Sequence, residues 1–228
     1  MERGALSDKK FKSFADKVIP YLHVTTRIPN RSNDRMLSDM GGTGFPTLMF
    51  LDSEGKKLLQ YRGPRTTNGF EQSYEQLGDY VDLLRRYKKG DKKAAAPLLI
   101  RQLELEIVDF EKATKLYAEA EPSEKEKKVI DRLMIDCEVR SLVDASQRDR
   151  KKQIQTGQRF IEMWKQGKTP SGESQTFQFW AFICNLAEVE GDRKLFKSAL
   201  DELKKTSVGK DSRYSRALRS MEKTLKDL

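Results

Sequence analysis

The stretch Gly42-Thr43-Gly44-Phe45-Pro46-Thr47-Leu48-Met49-Phe50-Leu51-Asp52-Ser53-Glu54-Gly55-Lys56 constrains this 228-residue chain more than any other. It reads as a tight turn, a proline, a short strand and a hairpin turn. Gly42 and Gly44 permit backbone angles that other residues avoid. Pro46 fixes φ and supplies no N–H, so it belongs at the first residue or the edge of a strand. Leu48 to Leu51 is a continuous apolar run of strand length, consistent with burial on both faces. Asp52-Ser53-Glu54-Gly55 is turn chemistry, after which Lys57 to Tyr61 can return antiparallel.

The flanking pattern extends this unit. Ser7-Asp8 can cap a helix in residues 1–17, where Phe11, Phe14 and Val18 recur at i, i+3 and i+7. Val18 to Ile28 is β-branched and alternating, which predicts a strand within it, with His23 as an ordinary strand residue. Residues 29–34 have loop composition. Arg35 to Met40 suits a short helix, and a longer one is expected from about Thr67 to Lys89, with Phe70, Tyr74, Leu77, Val81 and Leu84 on one stripe.

This order, with Gly44-Phe45-Pro46-Thr47 and then Phe50, Asp52, Gly55 and Gly63, resembles the second half of a thioredoxin-like fold. The similarity is to domains of thiol–disulfide interchange proteins and covers about the first 90 residues. It implies a cis Phe45–Pro46 bond, and it implies that Phe45, Pro46 and Thr47 contact a substrate or peptide backbone. The family's Cys-x-x-Cys, whose thiol pKa is lowered at a helix N-terminus, has no counterpart here. The two cysteines, Cys137 and Cys184, lie outside the region. The family's first strand is missing as well. Gly4 to Asp8 is similar to a stretch lying shortly after the redox motif in the family, so the expectation is a truncated chain whose Cys-x-x-Cys, or a selenocysteine variant, falls upstream of Met1. A missing inner strand leaves edges open to pairing, and a second copy of the chain is one way to complete the sheet.

Beyond Gly90 only helical periodicity remains. Leu99, Leu103 and Ile107 stack at i+4 behind Pro97. Phe110, Ala113, Leu116, Tyr117 and Ala120 mark a second helix, and Ser123 can cap a third running through Val143. Ile154, Phe160, Ile161 and Trp164 precede a stop at Gly167. Phe177, Trp180, Ala181, Cys184 and Ala187 precede Gly191, and two further stripes run from Leu195 to Leu203 and from Tyr214 to Leu225. Paired helices with short turns suggest an αα-hairpin array. Asp109 to Ala113, Tyr117 and Ala120, with Trp180, Cys184, Gly191 and Asp192, resemble parts of tetratricopeptide units. Arg101 and Phe196 depart from that pattern, and no fixed period runs through. The implied function is peptide or protein binding. Trp164, Trp180, Cys137 and Cys184 sit on apolar stripes, which places them in a core rather than a groove.

The expected fold class is therefore an incomplete α/β thioredoxin-like domain over residues 1–89, joined to an all-α helical-hairpin, tetratricopeptide-like domain over 90–228. Net charge is +9, which invites a nucleic-acid partner. The surplus is shared between the halves, however, with 16 Lys/Arg against 11 Asp/Glu in residues 1–90 and 28 against 24 beyond, so a protein partner is expected instead. No His/Cys cluster suits zinc, no Walker or GxGxxG loop is present, and no apolar run approaches a membrane span. No catalytic residue, metal ligand or cofactor is assigned. The expected function is a protein-interaction module without its own redox motif; the alternative is the truncated oxidoreductase. The chain as written carries no export signal and reads as cytoplasmic, or extracytoplasmic if a signal lies upstream.

Overall fold

The run Leu48–Leu51 forms strand β1 and pairs antiparallel with β2, Lys57–Tyr61. In the computed structural model, which describes residues 5–23, 35–42, 44–52, 54–61, 63–147 and 149–228, these two strands make up the one sheet seen among the described residues. Leu48 faces Tyr61, Met49 faces Gln60 and Phe50 faces Leu59; an irregularity after Phe50 then sets Leu51 opposite Lys57. The Asp52 carboxylate closes the hairpin by accepting the Glu54 and Lys56 N–H groups at 2.9 and 2.8 Å. Gly55 takes the left-handed φ of 77° that the turn requires.

The strands belong to one of two compact units, Met1–Gly90 and Asp91–Leu228. In the first, helix α1, Lys9–Ala15, is capped by Asp8, and α2, Met36–Asp39, is a single turn. The sheet leads into α3, Thr67–Lys88, capped by Thr66. Period-2 alternation sends Leu48 and Phe50 to one face. There they meet Phe14, Tyr61 and Phe70 in a small aromatic core, with Tyr61 and Phe70 ring centroids 5.0 Å apart. Residues Val18–His23 form no strand. The remainder of the strand expected there, residues 24–28, and the loop expected at 29–34 lie outside the described residues.

The second unit is entirely helical among its described residues: α4, Ala95–Glu104; α5, Phe110–Glu119; α6, Glu124–Ser146; α7, Arg150–Lys165; α8, Glu173–Glu190; α9, Arg193–Lys205; and α10, Ser215–Asp227. Chain neighbours pack on one another, and α4 and α8 also meet α6. One apolar cluster lies among α4, α5 and α6, around Leu99, Leu103 and Ile130. A larger one runs from α6 to α10, around Phe160, Phe179, Ile183 and Leu203.

The helix ends obey local chemistry, with one departure from the periodicity. Ile107 continues the i+4 spacing, yet α4 stops at Glu104, because Glu106 adopts a φ of 55° and turns the backbone out of the helix. Asp109 then caps α5, and Ser123 and Glu126 form a reciprocal capping box on α6. Gly167 and Gly191 take φ of 71° and 69° just after α7 and α8. Gly157, buried inside α7, marks a close helix approach: a Cβ there would lie 3.0 Å from the Leu186 Cβ and 3.1 Å from the Phe182 carbonyl. Among the described residues no helix is long and apolar enough to cross a membrane.

Both the core and the caps have measurable weight. The Phe160 ring is fully buried and stacks on Phe179 at 4.9 Å, so Phe160→Ala should lower stability in urea titration by about 3–5 kcal/mol. The Glu126 carboxylate is held below its usual pKa by hydrogen bonds from the Ser123 hydroxyl and backbone N–H. Its stabilising effect is complete above its ordinary value of 4.5 and fades as pH falls through the lowered folded value. Ser123→Ala should therefore cost about 1 kcal/mol at neutral pH and less in acid, checked by melts in both conditions.

Candidate functional site

The turn before β1 fixes where Phe45 points. Thr47 Oγ1 donates to the Gly44 carbonyl at 2.5 Å, which ties the turn across Phe45 and Pro46. The Phe45–Pro46 peptide bond is cis. Phe45 is left 74% exposed. An open depression beside it is lined by Gly44, Phe45, Pro46, Thr47, Gln60, Tyr61 and Arg65. Its floor is held by Tyr61, whose hydroxyl donates to the Pro64 carbonyl. Burial pushes that phenol above its ordinary pKa, so it stays protonated and a donor.

Phe45, Pro46 and Thr47 are thus together on one surface, and the Thr47 hydroxyl is already engaged within the turn. Gln60 and Arg65 share that surface, a proximity that depends on the hairpin and the turn after it. Arg65 is exposed and forms no ion pair among the described residues. The edge of β1 that faces away from β2 is paired with no strand among the described residues. Exposed apolar side chains at Ile19, Tyr21 and Leu22 add to the greasy character of this unit.

The other residues singled out by pattern are accounted for by packing. Trp180 is buried, and Trp164 meets it edge to face at 4.9 Å. Cys137 and Cys184 are free, buried thiols in different apolar clusters. Burial raises both pKa values, that of Cys184 to about 12. For Cys137 the nearby Arg140 offsets part of the rise. His23 is half-buried in irregular backbone. Among the described residues no group of three His, Cys, Asp or Glu side chains is placed to hold a metal ion.

No protein-family model, curated protein or solved structure matches the chain.

The thiols supply a direct check. A thiolate is the reactive form, so the folded chain should leave both cysteines unmodified by a thiol reagent at mildly alkaline pH. The unfolded chain should react at both. Rapid labelling of Cys137 or Cys184 in the native state, detected by mass spectrometry, would contradict the burial described.

Proposed function

We propose that this chain is a protein-interaction module, built as a thioredoxin-like domain over residues 1–89 and a helical-hairpin domain over 90–228, and that the first of these takes up an extended segment of a protein partner. The observation that carries the reading is the exposed Phe45 ring, three residues before a strand whose outer edge pairs with no described strand. An extended backbone adding to that edge gains main-chain hydrogen bonds. Specificity then comes from side chains that alternate toward the surface. Phe45 offers an aromatic anchor, a residue type enriched at the centres of protein interfaces.

The chemistry of the segment is set by the surface. An apolar side chain would pack on Phe45 and Pro46. A carboxylate nearby would meet Arg65, whose planar guanidinium suits bidentate pairing. The helical domain contributes a second protein-binding face in the manner of tetratricopeptide-like arrays. Neither cysteine takes part, since both are buried and protonated at neutral pH.

Peptide display against the whole chain tests this. Extended peptides combining apolar and acidic residues should be enriched, and Phe45→Asp should weaken them by about tenfold or more, roughly 1.4 kcal/mol. Folding should be unaffected because the ring is exposed. Enriched peptides that bind Phe45→Asp as well as the parent would remove this site from consideration. Concentration-dependent dimerisation abolished by the same substitution would replace the foreign segment with a second copy of the chain.

A further inference from the structure

On α10 the apolar and charged residues are separated almost completely. Leu218, Met221 and Leu225 turn inward and join the larger apolar cluster. Arg216, Arg219, Lys223 and Lys226 are all exposed. At 3.6 residues per turn these four fall within an arc of about 80°, directly opposite the apolar residues, and span about 15 Å of helix axis. Their spacing of three, four and three residues places each cation beside the next.

Neighbouring like charges at i+3 and i+4 destabilise a helix. Elsewhere in this unit cations at such spacing also meet anions, as in Lys112 with Asp109 and Lys115 with Glu111, although Lys125, Lys128 and Arg132 repeat the like-signed spacing on α6. Among the described residues, none of the four α10 cations forms an ion pair. Of the two carboxylates on the helix, Glu222 is taken by Lys204 of α9 at 2.6 Å and feels Arg219 and Lys226 only at longer range. Asp227 stands at the far end of the stripe. Attraction of cations to a helix C-terminus accounts for Lys223 and Lys226 but not for Arg216, which lies in the first turn where the dipole disfavours it.

We propose that this face of α10 binds the phosphodiester backbone of a nucleic acid duplex, without reading bases. The match is one of charge spacing: four cations along about 15 Å meet about four phosphates of a strand that carries one charge per about 3.4 Å of rise. A protein partner fits less well, since protein interfaces are anchored by apolar and aromatic residues at their centres, and this face has none. A lipid surface fits less well for a related reason: the apolar side of α10 that would enter a membrane is already in the core. The sharing of net charge between the two halves of the sequence conceals this face, because a net count takes no account of which side of a helix carries each charge. The charges of α10 alone support duplex binding, independently of the site at Phe45.

Fluorescence anisotropy of the full chain with labelled mixed-sequence DNA and RNA duplexes of about 20 base pairs, across about 50–200 mM salt, tests the proposal. Binding to either duplex should show a slope of log K against log salt of about −3.6, from about 0.9 per phosphate contact. Arg219→Gln with Lys223→Gln should shift that slope by about 2 units toward zero and weaken all sequences alike. Glutamine keeps helix propensity, and circular dichroism verifies folding. The DNA and RNA arms tell which duplex is preferred. An equal loss from Lys125→Gln with Lys127→Gln on α6 would overturn the assignment in favour of net charge. So would an unchanged slope in the α10 variant, or tighter binding to polyglutamate or to phosphatidylserine vesicles than to either duplex.

Discussion

Helix α8 cannot be exposed to water on most of its surface. At 3.6 residues per turn, Phe177, Phe179, Trp180, Phe182, Ile183, Leu186 and Ala187 spread apolar side chains over about 220° of its circumference, and a helix of that kind must be covered on most sides. It is covered by α6, α7 and α9. Burying each large apolar side chain contributes about 1.5–3 kcal/mol, whereas an exposed pair such as Lys115 with Glu111 contributes about 0–1. The covering of α8 therefore decides the order of the helices around it, and the many surface ion pairs adjust an arrangement already set.

Polar groups then refine how the covering helices enter that core. Gly172 precedes α8 and has no side chain with which to cap it. Asp136 of α6 does so instead, accepting the Ser171 and Gly172 N–H groups at 2.7 and 3.1 Å and the Ser171 hydroxyl at 2.9 Å. Gln175, buried in the first turn of α8, donates to Glu106 at 2.7 Å. Arg140 of α6 reaches the same carboxylate at 3.6 Å and donates to the Val108 carbonyl at 2.6 Å. The left-handed backbone at Glu106 is thus held in place by two helices, and losing any one of these partners would leave another polar group without its hydrogen bond.

Local chemistry made much of this legible in the sequence. The Gly55 hairpin, the Ser123 capping box and the glycine stops at Gly167 and Gly191 each depend on residues close together in the chain. The helical character beyond Gly90 was written in 3.6-residue stripes. Features that local pattern could not reveal depend on tertiary partners. Ile107 satisfied the helical period, but the bonds that hold Glu106 and Val108 come from residues more than thirty positions away. At the candidate site, the turn motif pointed to Phe45, Pro46 and Thr47, while Gln60 and Arg65 join it only because β2 and the turn after it fold back alongside. The basic face of α10 escaped a reading by net charge because counting residues takes no account of direction.

Gly157 and Gly78 look alike to any scale of helix propensity, where replacing an interior glycine by alanine is worth about 1 kcal/mol. Around Gly78 of α3 a Cβ would find nothing within 4 Å, so the full benefit of alanine is available there. At Gly157 the missing side chain is what lets α7 lie against Leu186 and the Phe182 carbonyl. A methyl group at that point would be tight, and its neighbours on α8 would have to give by a few tenths of an ångström to admit it. For anyone engineering a hardier form of this protein, one glycine is a vacancy to fill and the other a hinge pin to leave alone.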